Sequence, residues 1–218
     1  MRVIKHALDN VVHLHFEKQY PLCATFLRIQ EFYESPFSNI KNNVFKLKDY
    51  RETSILHTGV FDYHNQWIGF NVPGNVVFDF FNKFKPLYKK ELILYDTVKP
   101  YVLTGNDKFY VIGTFGKEDS DDYAVAHEIA HALYYLNPDY KIACTNIYNS
   151  MDNSDKEYMT KQIIGMGYHP SVVEDEIQAF LSTNTQQDNI EYFGKYPITL
   201  NDVYLQYVEN YKLFNNGR

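Results

Sequence analysis

Residues 120–136 read SDDYAVAHEIAHALYYL. As a helix this segment has almost no polar face: Ala124, Val125, Ala126, Ile129, Ala130, Ala132, Leu133 and Leu136 surround it, so it must be buried on most sides. Yet it carries two histidines four apart, with a glutamate directly after the first. Burying such groups without partners is costly, so the fold has to bring a counter-charge or a cation to His127, Glu128 and His131. The pattern is not a by-product of composition. With 8 histidines in 218 residues and this glutamate content, it is expected by accident roughly 0.016 times. Ser120, Asp121 and Asp122 supply a cap and a first turn matched to the helix dipole.

The spacing has a mechanical meaning. Residues i and i+4 are about 40° apart around a helix, so His127 and His131 project from one face. Two imidazoles so placed can hold one tetrahedral Zn²⁺, and Glu128, about 100° from His127, flanks the pair where it can take a proton from a metal-activated water.

HEIAH, with the small Ala130 before the second histidine and Ala132-Leu133 after it, resembles the active-site helix of the zincin metallopeptidases over about fifteen residues. The metzincin branch of that family would need Gly at 134 and His at 137; the chain has Tyr134 and Asn137, which excludes it. Asp139 is a conceivable third ligand, but NPD reads better as the turn ending the helix. The gluzincin branch takes a glutamate from a second helix further along, and HPSVVEDEIQAFLST offers Glu174 and Glu176. Ser171 with Glu174 spells a capping box, which gives Glu174 a structural task. With Val172 at zero, the apolar arc of that helix runs from Ala179 at about 340° to Leu181 at about 180°. Glu176 falls inside it at about 40°, Asp175 outside it at about 300°, and Glu174 on its border at about 200°. A carboxylate on a buried stripe needs a positive partner, so Glu176 is the expected third ligand. Ala179, three residues on, matches the small residue often found there in gluzincins. Phe180 stands where thermolysin-like enzymes place an orienting aspartate, so a minimal or aminopeptidase-like gluzincin core is the nearer comparison.

The resemblance implies a zinc-dependent metallopeptidase, with His127, His131 and Glu176 as metal ligands and Glu128 as general base. Tyr168 and His169, just before the third-ligand helix, are the candidates for stabilising the oxyanion. It also implies that a strand such as YVIGTF pairs with extended substrate backbone; an internal sheet strand is the competing reading. A non-catalytic scaffold retaining the fold and its zinc is the alternative function, and Glu128 speaks against it, because a purely structural site has no use for that carboxylate.

The rest of the chain sets the frame. Apolar residues make up 45% and charged residues 22%, an ordinary globular composition. Two cysteines, Cys23 and Cys144, rule out a disulfide framework and suit a reducing compartment. No apolar run approaches a membrane span and none at the start has signal-peptide length, so a cytoplasmic protein is expected. Residues up to 110 carry 14 basic and 11 acidic side chains, a net +3; the remainder carries 7 and 16, a net −9. An acidic half bearing the metal motif argues against nucleic acid as a partner; a peptide or protein substrate is expected.

The expected fold is α+β: a mixed sheet and an active-site helix, followed by a mostly helical C-terminal part. VVHLHF alternates as a strand with His13 and His15 on one face in a surface or cross-strand role. LCATFLRIQEFYES reads as an amphipathic helix, QWIGFNV as a strand, and VVFDFFNKF as a helix entered through PGN. YVLTG and KFYVIGTF read as a hairpin turning at Gly105, Asn106 and Asp107. Helices follow over DKEYMTKQII, closed by Gly165 or Gly167, over SVVEDEIQAFLST, and over LNDVYLQYVENYKLF, capped near Thr199 or Asn201. A division into 1–100, of unassigned role, and 101–218, the catalytic core, completes the expectation.

Overall fold

The computed structural model of the chain describes residues 1–5, 8, 10–116, 122–184 and 195–215. It is α+β and forms two compact units, Met1–Ile4 with Val12–Ser120, and Lys5–Val11 with Asp121–Arg218. The expected 100/101 boundary falls inside the helix Lys89–Thr104. No helix among the described residues is long and apolar enough to cross a membrane.

The first unit holds all but Lys5 and Val11 of a four-stranded sheet in the order β1-β2-β4-β3, formed by β1 (Arg2–Lys5), β2 (Val11–Phe16), β3 (Gly69–Pro73) and β4 (Tyr110–Phe115). The helices α1 (Gln19–Glu34), α2 (Leu47–Thr58), α3 (Tyr63–Gln66), α4 (Gly74–Lys83) and α5 (Lys89–Thr104) complete it. The periodic positions Leu22, Phe26, Ile29 and Phe32 of α1 are all buried, and Phe26 stacks on Phe70 of β3 at 5.2 Å. This close packing depends on Gly113 of β4. A Cβ there would come within 2.6 Å of the Phe26 ring and 2.8 Å of Leu22.

The expected hairpin over 101–115 does not form. Tyr101–Thr104 is the last turn of α5, closed by Gly105 in the left-handed region at φ 70°. The reason is the spacing of Leu94, Val98, Tyr101 and Val102, which is helical and faces the core; Leu103 is 68% exposed. β4 instead pairs antiparallel with β3, from Gly69 opposite Thr114 to Pro73 opposite Tyr110.

His13 and His15 take the cross-strand role. His13 Nε2 and His15 Nδ1 converge on Thr114 Oγ1 at 2.7 and 2.9 Å, and His15 Nε2 reaches the Gly116 carbonyl at 3.0 Å. One proton arrangement satisfies all three: His13 donates to Thr114, Thr114 to His15, and His15 to the backbone.

Glu31 of α1 is 4% exposed, and its Oε2 has no hydrogen-bond partner among the described residues. Burial pushes its pKa from 4.5 up to about 7, against the opposing effect of the Ser35, Tyr50 and Tyr63 hydroxyls. A carboxyl raised in this way lends its full stability only below the unfolded pKa, and loses it as pH climbs toward the folded value. The linked loss is on the order of 3 kcal/mol. Glu31→Gln should therefore match the parent near pH 4.5 and grow progressively more stable than it toward pH 8, as read from urea unfolding. A variant that keeps the parent's decline would contradict this.

The second unit is helical: α6 (Asp122–Leu136), α7 (Pro138–Ser150), α8 (Asn153–Gly165), a 3-10 turn (Pro170–Val172), α9 (Val173–Thr183) and α10 (Tyr196–Asn215). Ser120 and Asp121, expected to cap α6, lie outside the described residues. Asn137 ends one helix and starts the next, its Oδ1 accepting from the N–H groups of Asp139 and Tyr140 at 3.0 and 3.1 Å, with Pro138 at the first helical position. α8 ends at Gly165, and Gly167 follows at φ 99°. α10 begins at Tyr196, earlier than expected, because Pro197 is tolerated in a first turn. Thr199 and Asn201 are therefore not caps; Thr199 Oγ1 donates to Lys195 O at 2.9 Å and Asn201 Nδ2 to Ser182 O at 2.6 Å.

Candidate metal centre

α6 presents His127 and His131 on successive turns with ring centroids 4.8 Å apart. Their Nε2 atoms point at each other across 3.2 Å. Glu176 of α9 completes the group, with Oε2 3.6 Å from His127 Nε2 and Oε1 3.6 Å from His131 Nε2. One ligand atom from each of the three residues lies within 4.8 Å of the others. Tetrahedral coordination with bonds of about 2.0–2.1 Å has edges of roughly 3.3–3.4 Å; the two Nε2 atoms, 3.2 Å apart, and each imidazole with one Glu176 oxygen, at 3.6 Å, lie near that value.

The electrostatics agree with the spacing. Glu176 and His131 are 2% and 1% exposed, and Glu176 Oε2 has no hydrogen-bond partner among the described residues. Burial would raise the Glu176 carboxyl, yet His131 and His127 hold it down at about 2. Burial would likewise lower His131, but Asp175 and Glu176 push it well above the ordinary histidine value. The carboxylates thus call for positive charge at the imidazoles, and a divalent cation would supply it while engaging the converging lone pairs. The residues fit Zn²⁺.

The three consecutive acids of α9 do three different things. Glu174 turns away from the centre, where its Oε1 accepts from Tyr134 Oη and Thr145 Oγ1, both at 2.7 Å. This corrects the expected capping box. Ser171 lies within the 3-10 turn, bonded to His169 Nδ1 through its N–H at 3.1 Å and facing it with Oγ at 2.8 Å, and the carboxylate finds stronger donors on α6 and α7. Asp175 Oδ1 meets His131 Nδ1 at 2.8 Å, and Glu176 faces both imidazoles. Sequence reasoning passed over Asp175 because the helical wheel put it outside the apolar arc. The missed signal is geometric: the two nitrogens of one imidazole point to opposite sides of the ring, so carboxylates about 100° apart on a facing helix can bracket it.

Glu128 follows His127 and is buried at 5% exposure. Phe180 lays its ring against His127, centroid to centroid 4.7 Å. Asp139 is exposed in the first turn of α7 and is not part of the group. Neither is His169; it and Tyr168 are half-buried, and His169 Nδ1 caps the 3-10 turn leading into α9.

Compared with family models, with curated proteins and with solved structures, the chain matches none. The functional reading rests on its own residues.

Proposed function

We propose that the chain is a zinc-dependent metallopeptidase with a gluzincin-like core, hydrolysing peptide bonds with Glu128 as general base. The observation that carries this is the convergence of His127 Nε2, His131 Nε2 and the Glu176 carboxylate on the helix face flanked by Glu128. His127, His131 and Glu176 would hold the ion. Bound Zn²⁺ supplies Lewis acidity, polarising the scissile carbonyl and bringing the pKa of water toward about 7. Glu128 takes a proton from the attacking water and returns it to the nitrogen of the departing amine. Asp175, 2.8 Å from His131 Nδ1, holds that ring with Nε2 toward His127 and Glu176. Three protein ligands leave a coordination position open to water, whereas structural zinc is enclosed by four.

The test is cleavage of a peptide library by the zinc-loaded chain, read by mass spectrometry of the fragments. Cleavage that stops with a chelator and returns with zinc supports the reading. Stoichiometric zinc with no cleavage of any peptide would instead make the chain a zinc-holding binding protein.

A further inference from the structure

His131 stands at one end of a run of polar side chains that leaves the metal centre and crosses to α7. Asp175 Oδ1, 2.8 Å from His131 Nδ1, also accepts from Gln178 Nε2 at 2.9 Å. Gln178 Oε1 accepts in turn from the Tyr140 hydroxyl at 2.9 Å, and Ser182 Oγ lies 3.3 Å from that hydroxyl. Gln178, Tyr140 and Ser182 are at most 2% exposed, whereas the Asp175 side chain is 24% exposed.

The chemistry of the partners fixes the direction of every bond. A carboxylate only accepts, so Gln178 must turn its amide N–H toward Asp175 and leave its carbonyl for Tyr140. An amide oxygen only accepts, so the Tyr140 hydroxyl, which burial keeps protonated, is the donor to Gln178 Oε1. His131 must then carry a proton on Nδ1. In a neutral imidazole this leaves the lone pair on Nε2, the atom that faces His127 and Glu176. A histidine whose far nitrogen is held in this way is both oriented and made more basic toward a metal.

We propose that Asp175, held by Gln178 and through it by Tyr140, is a positioning residue that fixes the ligating tautomer of His131 and sets the affinity of the centre for zinc. The proposal rests on the zinc reading above. It extends that reading from the ligands to a side-chain relay anchored on a helix that contributes none of them.

The experiment measures zinc affinity by competition with a chromophoric chelator in the parent, Asp175→Ala, Asp175→Asn and Gln178→Met. Nitrogen-15 spectra of the histidines in the zinc-free proteins, recorded above the pH at which the His131 ring becomes neutral, report the tautomer. Asp175→Ala should weaken zinc binding 10–100-fold and shift His131 from the Nδ1–H form toward a mixture with Nε2–H. Asp175→Asn can still accept the bond but lacks the charge, so its loss falls toward the lower end of that range. Gln178→Met, which touches no ligand, should lose less, in the same direction. A role in packing alone would leave the tautomer unmoved. Because Asp175 is partly exposed and asparagine preserves its shape, the test does not depend on the alanine variant folding. Zinc affinity and tautomer unchanged in the Asp175 variants would overturn the proposal while leaving the metal centre intact. A parent chain that takes up no zinc would overturn the metal reading itself, and the proposal with it.

Discussion

Glu128→Gln is expected to lower peptide hydrolysis by roughly 10²–10⁴-fold while retaining about one zinc per chain. Glutamine keeps the volume of a side chain that is 5% exposed, and it leaves His127, His131 and Glu176 in place. What it removes is the ability to take a proton from the attacking water and hand it to the leaving amine. The fall should appear in kcat, because the lost interaction belongs to the proton transfer rather than to substrate binding. A Gln variant that cleaves as fast as the parent would remove Glu128 from the mechanism. A variant that loses its zinc would make Glu128 part of the metal site instead.

The second large effect is on the metal. Glu176→Ala should weaken zinc binding by more than about 100-fold, beyond the range seen when only an outer-shell partner is lost. Its carboxylate is the one negative group in the described cluster that faces both imidazoles, at 3.6 Å from each. Glu174→Ala is the control, since that side chain latches α9 to Tyr134 and Thr145 and holds no ligand position. Metal content by plasma mass spectrometry, with chelator competition for affinity, separates the two. Zinc retained in Glu176→Ala but lost in Glu174→Ala would reassign the third ligand.

Much of this centre was legible before any coordinates, for reasons particular to a few residues. His127 and His131 were readable because the i, i+4 spacing on an apolar helix has one geometric meaning and a low chance rate. Glu176 was readable because a carboxylate inside an apolar arc demands a partner. Asp175 was not, because a helical wheel sorts residues into buried and exposed and has no category for a half-exposed side chain reaching one buried ring nitrogen. The Ser171–Glu174 pattern misled for a related reason: a capping box is local, whereas the donors that won Glu174 are Tyr134 and Thr145, about 40 and 30 residues away in sequence.

The fold shows the same division. α1 and β2 follow their hydrophobic periods. YVLTG failed as a strand because five residues carry too little periodicity to tell the end of a helix from the start of a hairpin. The strand expected to pair with it, β4, pairs antiparallel with β3 instead, a long-range choice. α10 began three residues before its expected cap because Tyr196 is buried and Pro197 fits a first turn. Residues 138–150, unassigned from sequence, form α7, which starts at the Asn137 cap and Pro138 and buries Tyr140 and Cys144.

The central claim is that two imidazoles and one carboxylate of this chain bind zinc with room for water. Zinc-edge X-ray absorption on the purified, zinc-loaded parent tests it directly. The account predicts a shell of two imidazole nitrogens with oxygen donors at about 2.0–2.2 Å and no sulfur. A shell with sulfur, one lacking imidazole, or the same spectrum in a His127→Ala/His131→Ala variant would contradict it.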